Sequence, residues 1–197
     1  MVKIRLARTG EGQDPSEAAR ELLVSALENE YGIPAAEARI EKDEKGKPYL
    51  EGYPDLYLSI SHSGPYIACA FGDKPVGVDT EMWKAHPKWR RIVDKMHLRE
   101  REAFDRACGG AASEEAAEEP VEAFCDLWVR KESFLKAIGE GLRIPLYAFD
   151  TTEERVRQEL RKEPYFIRNY RVEKEPVSIA VCAGEEKLPL DLSMWVW

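Results

Sequence analysis

The segment Val76-Gly77-Val78-Asp79-Thr80-Glu81 follows the turn signal Gly72-Asp73-Lys74-Pro75 and is rich in β-branched residues, so it predicts a β-strand. Side chains two residues apart on a strand face the same side, so Asp79 and Glu81 project together, with Cα atoms about 6.7 Å apart. Two carboxylates at that separation can converge on one cation.

A second segment, Trp128-Val129-Arg130-Lys131-Glu132-Ser133-Phe134-Leu135-Lys136, predicts a helix, because it continues an apolar stripe at helical spacing. Glu132 and Lys136 are four residues apart and share one face beside that stripe. Glu132 would add a third carboxylate to Asp79 and Glu81. Mg²⁺ suits such a set, because it takes few protein oxygens and completes its octahedron with water and phosphate oxygens.

Each feature also has a simpler interpretation. A single Asp-x-Glu at a strand end is usually solvated, and a Glu–Lys pair on a helix is usually an exposed pair worth ~0.3–0.5 kcal/mol. Asp79 favours the metal interpretation, because it ends an apolar strand where an unpaired charge is costly to bury.

Further motifs stand in order around these two segments: Gly46-Lys47-Pro48, Ser59-Ile60-Ser61-His62-Ser63-Gly64 and, after the helix, Gly139-x-Gly141-Leu142. With the strand pair expected between Tyr165 and Ala183, the set resembles the 4′-phosphopantetheinyl transferase superfamily over residues 46–183. A sizeable region precedes Asp79, which favours the long, Sfp-type class. The resemblance implies an α+β fold, a pseudo-dimer of two similar α/β half-domains, expected at residues 1–82 (coenzyme A side) and 83–197 (catalytic helix and carrier side).

The resemblance implies transfer of the 4′-phosphopantetheine group of coenzyme A to a serine of an apo acyl or peptidyl carrier protein, with release of adenosine 3′,5′-bisphosphate. Mg²⁺, or Mn²⁺ as an alternative ion, would be held by Asp79, Glu81 and Glu132. Glu132 would remove the serine proton, and Lys136 would stabilise the leaving group. Two other functions stay open: a metal-dependent hydrolase of coenzyme A-like diphosphates, and a non-catalytic module that binds coenzyme A and a carrier.

The same resemblance implies a set of coenzyme A contacts. His62 would face the 3′-phosphate, although a lone histidine between serines is more often structural. The basic segment usual before the first helix is missing, and Arg20 is the nearest substitute. Lys131 is expected to reach the ligand side from the edge of the apolar stripe. The complete predicted set is Lys47, Ser61, His62, Arg20, Lys131 and Lys136.

Composition bounds the partners. The net charge of −8 argues against nucleic acid, and no apolar run is long enough to span a membrane. Basic residues nevertheless concentrate in residues 82–101, next to Met82, Trp83 and Trp89, which favours docking of an acidic carrier protein over a merely solvated helix face. The four cysteines show no Cys-x-x-Cys spacing, so we expect a cytoplasmic protein without disulfides, and the resemblance implies a monomer.

Periodicity and turn residues predict the remaining elements. A helix should begin at Asp14-Pro15 and end at Gly32. Further helices are expected at 87–106 and 120–138, separated by a small, acidic segment, 108–120, that predicts a mobile loop or a frayed helix. Strands are expected at 2–7, 38–42, 48–51, 56–60, 66–71, 76–81, 165–173 and 177–183.

Overall fold

The computed structural model describes residues 1–84, 88–108 and 121–190, and the backbone of 193–196. These residues form a mixed α/β structure. Its helices are α1 (Pro15–Tyr31), α2 (Trp89–Val93), α3 (Leu98–Ala107) and α4 (Val121–Ile138). Its strands are β1 (Lys3–Arg8), β2 (Ile40–Lys42), β3 (Pro48–Leu50), β4 (Tyr57–Ser63), β5 (Tyr66–Gly72), β6 (Val76–Met82), β7 (Phe149–Asp150), β8 (Arg157–Gln158), β9 (Phe166–Tyr170), β10 (Val177–Ala183) and β11 (Ser193–Val196).

The first sheet has the strand order β11-β1-β5-β4, and helix α1 packs on it. The α1 helix begins where the Asp14 carboxylate accepts a hydrogen bond from the Ser16 N–H at 2.9 Å, with Pro15 at its first position. It ends at Gly32, whose φ of 66° is the left-handed conformation that closes helices. Its apolar side buries Leu23 and Leu27 against the sheet.

The second sheet has the order β6-β10-β9, and α4 packs across β6 and β10. The close approach depends on Gly77, because a Cβ built there would lie 2.0 Å from the Ser133 carbonyl oxygen and 2.4 Å from the Ala137 nitrogen. Gly77, Asp79 and Glu81 alternate along β6, so the two carboxylates share the face that meets α4.

The two larger sheets meet where β4 runs beside β6, and serine side chains connect them. Every second residue of β4 from Ser59 to Ser63 is a serine. The serine hydroxyl oxygens accept hydrogen bonds from every second N–H group of β6, on the edge that does not pair with β10. In this way the N–H groups of β6 have partners on both edges, a backbone ladder on one and serine hydroxyls on the other. The three contacts are Val78 N–H to Ser59 Oγ at 3.0 Å, Thr80 N–H to Ser61 Oγ at 3.3 Å and Met82 N–H to Ser63 Oγ at 3.1 Å.

The expected strands and the two long helices are found with small boundary shifts, but the single helix expected at 87–106 is wrong. It divides into α2 and α3, because His97 begins a new helix. The His97 ring accepts from the Arg99 N–H, and the Glu100 carboxylate accepts from the His97 N–H, which together form a capping box. The parallel pairing of β11 with β1 was not expected. The expected loop 108–120 lies outside the described residues, apart from Cys108.

In the part of the chain that the structure describes, no helix combines the length and apolarity needed to cross a bilayer.

Replacing Gly77 with Ala should destabilise the protein by about 3 kcal/mol, because the added methyl group would force α4 away from β6. The matched control is Gly184→Ala, just after β10, where a Cβ would find its nearest atom 3.6 Å away. Urea unfolding monitored by circular dichroism measures both variants. Equal midpoints for the two would contradict the proposed close packing of α4 on β6.

Candidate active site

Asp79 lies at the junction of the two sheets and α4. Its carboxylate is nearly fully buried, and Oδ1 accepts from the Ser61 hydroxyl at 2.8 Å and from Lys136 Nζ at 2.7 Å. Lys136 Nζ also donates to Ser61 Oγ at 2.9 Å, so the ammonium, the hydroxyl and the carboxylate form a closed triangle. A positive charge therefore already balances Asp79.

Glu81, two residues after Asp79 on β6, also accepts a hydrogen bond from a serine of β4. The Ser63 hydroxyl donates to its Oε1 at 3.1 Å, while Ser63 Oγ accepts from the β6 backbone. Each of these serines thus serves two purposes, joining the sheets and orienting a carboxylate. Sequence analysis had not assigned Ser63 a role, although its alternation with Ser59 and Ser61 was visible.

Glu132 faces these two carboxylates from α4. Burial, together with the Asp79 and Glu81 charges, raises the pKa of Glu132 from 4.5 to about 7, and the Lys136 charge opposes the rise. Its Oε1 is buried and has no hydrogen-bond partner among the described residues. Asp79 and Glu81 therefore interact electrostatically with Glu132, the helix carboxylate that the sequence predicted to lie near them.

This donor set fits a hard divalent cation. A buried carboxylate oxygen without a partner, next to two further carboxylates, is the environment in which a cation relieves the desolvation cost. Among the described residues, no group of three Asp, Glu, His or Cys side chains has a geometry that could hold a metal ion as it stands. Asp79 Oδ1 instead contacts the Lys136 ammonium.

A cleft of about 550 Å³ opens beside Lys136, between α1, the β2–β3 hairpin, β4 and the end of α4. Its polar lining is strongly cationic, which suits a phosphorylated ligand. Arg20, predicted as a phosphate contact, lines it, and so do Lys42 and Lys45, which sequence analysis did not select. The polar and cationic residues of the lining include Ser16, Arg20, Lys42, Lys45, Lys47 and Lys136.

The other predicted coenzyme A contacts lie in different environments. His62 is exposed, with Nε2 3.5 Å from the hydroxyl of Ser16, a residue of the cleft wall. The Ser61 hydroxyl donates to Asp79 and accepts from the Thr80 N–H and from Lys136 Nζ. Lys47 contributes its stem to the cleft, but its ammonium donates to backbone carbonyls.

Lys131 does not lie on the ligand side, which corrects the expectation that it would reach the ligand from the edge of the apolar stripe. Its side chain is fully buried, with Nζ 2.5 Å from Glu100 Oε2 and 2.6 Å from the Phe149 carbonyl oxygen. Burial lowers the pKa of Lys131 to about 8, while Glu100 raises it. The Glu100 carboxylate also accepts from the backbone N–H and hydroxyl of Thr151, so the pair joins α3, α4 and the strand after it.

The basic stretch 82–101 is partly neutralised within the molecule. Arg90 contacts Asp94 at 3.3 Å and Asp105 at 2.7 Å, and Arg99 contacts Asp150 and Glu153. Trp83 and Trp89 pack against the cluster between α3 and α4. Other exposed cationic side chains of the stretch, among the described residues, are Lys84, Lys88, Arg91 and Lys95.

Comparison with known proteins agrees with this arrangement. The family model described as the 4′-phosphopantetheinyl transferase superfamily matches residues 75–182, which contain β6, α4, β9 and β10. The chain belongs to this superfamily.

Its relatives place this phosphopantetheinyl transferase in the Sfp-type class. The 4′-phosphopantetheinyl transferase Sfp of Bacillus subtilis (strain 168) is 31% identical over 180 residues, which cover 88% of this chain and 75% of the relative. Another 4′-phosphopantetheinyl transferase of Bacillus subtilis is 35% identical over 168 residues, covering 83% and 70%. An L-aminoadipate-semialdehyde dehydrogenase-phosphopantetheinyl transferase of Xenopus laevis is 30% identical over 151 residues, covering 74% and 50%.

The raised pKa of Glu132 predicts how stability without added metal depends on pH. The folded protein binds the carboxyl proton more tightly than the unfolded chain, so stability is highest below pH 4.5 for this group and falls as the pH rises towards 7. The full change is at most about 3 kcal/mol, at about 1.4 kcal/mol per pKa unit. Glu132→Gln should remove this fall, and Glu159→Gln, at an exposed glutamate, should keep it.

Urea unfolding of the metal-free protein between pH 5 and pH 8 measures this dependence. Parallel pH profiles for the wild type and Glu132→Gln would show that Glu132 ionises as it does in the unfolded chain.

Proposed function

We propose that this transferase moves the 4′-phosphopantetheine group of coenzyme A onto a serine hydroxyl of an apo acyl or peptidyl carrier protein, with Mg²⁺ and with release of adenosine 3′,5′-bisphosphate. The observation that carries the proposal is the placement of the Asp79–Lys136 contact beside a cationic cleft, with Glu132 close to it. Carboxylates for a cation thus adjoin a surface for phosphates.

Asp79, Glu81 and Glu132 are the residues proposed to hold Mg²⁺, or Mn²⁺ in its place. The bound ion would supply charge neutralisation and alignment of the diphosphate. Lys136 would then be released from Asp79, and its partly exposed side chain is available to a phosphate oxygen in the cleft. The same lysine balances Asp79 when no ligand is bound, which keeps the carboxylate from being an unpaired buried charge.

The reaction we propose is a displacement at phosphorus. The serine oxygen of the carrier forms a bond to the β-phosphorus, and the bond from that phosphorus to the bridging oxygen breaks. Glu132 accepts the serine proton as the general base. Lys136 stabilises the charge that develops on the leaving bisphosphate. Positioning and electrostatics supply most of the acceleration in such transfers.

Coenzyme A is proposed to lie in the cleft, with its 3′-phosphate near Arg20 and His62. These residues come from α1 and from the end of β4, and Ser16 lies between them on the cleft wall. Lys42 and Lys45 add two cationic side chains on the opposite wall. They supply positive charge that the N-terminal segment 9–14, which lacks lysine, does not.

Two half-domains, 1–82 and 83–197, remain the proposed organisation, with a monomer as the working unit. Each half would contribute one strand to the sheet of the other, since β6 pairs with β10 and β11 pairs with β1. The acidic carrier is proposed to dock on the exposed basic residues of 82–101. A cytoplasmic location is proposed as well.

Replacing Asp79 with Asn or Glu132 with Gln should lower transfer by about 10²-fold or more, because each removes a carboxylate proposed to hold the Mg²⁺ that neutralises the reacting phosphate. The assay incubates enzyme, coenzyme A, Mg²⁺ and apo carrier protein and measures the carrier mass. Asp55→Asn, at an exposed aspartate, is the control. A mass increase of one phosphopantetheine group supports the transferase.

The same assay separates the alternatives. Cleavage of coenzyme A without carrier modification would identify a hydrolase, and binding without either reaction would identify a non-catalytic module. Near-normal transfer by folded Asp79→Asn or Glu132→Gln would contradict the metal assignment.

Metal binding should strengthen as the pH rises from 6 to 8, because Glu132 must lose its proton before it can bind a cation. Electron paramagnetic resonance of free Mn²⁺ measures the dissociation constant without coenzyme A or carrier. Asp79→Asn should weaken binding about tenfold or more at every pH, as loss of a charged ligand does. Binding that is independent of pH would exclude Glu132 from the ligand set.

A further inference from the structure

The Lys47 side chain has a different environment from the other lysines of the cleft. Its ammonium donates to three backbone carbonyls, at 3.2 Å to Val76, 2.5 Å to Lys136 and 2.8 Å to Ala137. An ammonium has three N–H donors, so these contacts use its full hydrogen-bonding capacity. No donor remains for a phosphate oxygen in this arrangement.

The carbonyls that Lys47 binds belong to the ends of two elements. Val76 begins β6, and Lys136 and Ala137 lie in the last turn of α4, which ends at Ile138. The last carbonyls of a helix lack helical partners and carry the partial negative end of the helix dipole. A cation there satisfies both, and Lys47 supplies it from a segment far away in sequence.

Two further features hold the β2–β3 hairpin against this helix end. Lys45 Nζ contacts Glu140 Oε1 at 2.7 Å, just beyond α4. Gly139, with a φ of 71°, leaves room for the Lys47 stem, because a Cβ there would lie 3.2 Å from Lys47 Cδ. The hairpin that forms one wall of the cleft is thus attached to the helix that carries Glu132 and Lys136.

We infer that Lys47 is a positioning residue: its ammonium fixes the C-terminal end of α4 against β6 and the hairpin, and it is not a phosphate ligand. The consequence for catalysis rests on the proposed function, since Lys136 lies in the turn that Lys47 holds. Burial lowers the pKa of Lys47 to about 8, in accord with an ammonium removed from water. The expected coenzyme A contact at Lys47 is replaced by this interior role.

Lysine labelling of the wild-type protein tests the placement directly. The folded enzyme is treated briefly with acetic anhydride, with and without adenosine 3′,5′-bisphosphate, and the modification of each lysine is measured by mass spectrometry. Lys47 should react far more slowly than the exposed Lys162 in the free protein, and the bisphosphate should not change its rate. A Lys47 that reacts as fast as Lys162 and becomes protected by the bisphosphate would overturn the inference.

Kinetics of Lys47→Met test the catalytic consequence, with Lys162→Met as the matched control. A positioning role predicts that kcat falls about tenfold or more, since small misplacement of catalytic groups is costly. The KM for coenzyme A and the dissociation constant of adenosine 3′,5′-bisphosphate should change less than about threefold. The opposite pattern, an unchanged kcat with binding weakened tenfold, would identify Lys47 as a phosphate ligand and refute the inference.

The two experiments separate this inference from the proposed function. If the wild type modifies no carrier, the proposed function fails, yet slow labelling of Lys47 in the free protein still supports its interior placement. If Lys47→Met does not fold, labelling of the wild type decides alone. Hydrogen exchange of the wild type adds a check, because amides at the end of α4 should be protected without any ligand.

Discussion

The contact between β4 and β6 is the constraint on which the rest of the structure depends. The two strands run side by side, but serine hydroxyls take the place of a backbone ladder between them. Ser61 shows why hydroxyls are needed. Its oxygen accepts from the Thr80 N–H and from Lys136 Nζ, while its proton goes to Asp79. A backbone ladder would satisfy the strand edge but could not hold a carboxylate and an ammonium as well.

This side-chain bridge also affects the spacing between the two strands. A bridge through a hydroxymethyl group is longer than a direct N–H to carbonyl bond, so the sheets separate where the serines lie. Ser59, the first of the three serines, also lines the cleft. On the face of β6 that carries Asp79, Gly77 lets the backbone of α4 approach closely. The serine contacts on one edge and the close approach on one face together place Asp79 between Ser61 of β4 and Lys136 of α4.

Much of this arrangement could be predicted from short-range pattern. Strand alternation put Asp79 and Glu81 on one face, and helical spacing put Glu132 beside Lys136. The roles of Lys131 and Lys47 could not be predicted, because their partners are distant in sequence. Glu100, which pairs with Lys131, lies on another helix, and the carbonyls that bind Lys47 are backbone groups with no side-chain signal. Periodicity identifies a face, but the neighbour on that face depends on tertiary packing.

The two lysines of α4 show how the helix is divided between support and chemistry. Lys131 and Lys136 are five residues apart, so they project about 140° from each other. Lys131 is locked with Glu100 in the interior, where removing one partner of such a pair costs about 3–5 kcal/mol. Lys136 keeps part of its surface open to the cleft. A helix anchored on its far side and at its C-terminal end can hold the Glu132 carboxylate in a place where burial disfavours its charge. A ligand that neutralises this carboxylate then gains affinity, because it relieves the cost of burying the charge.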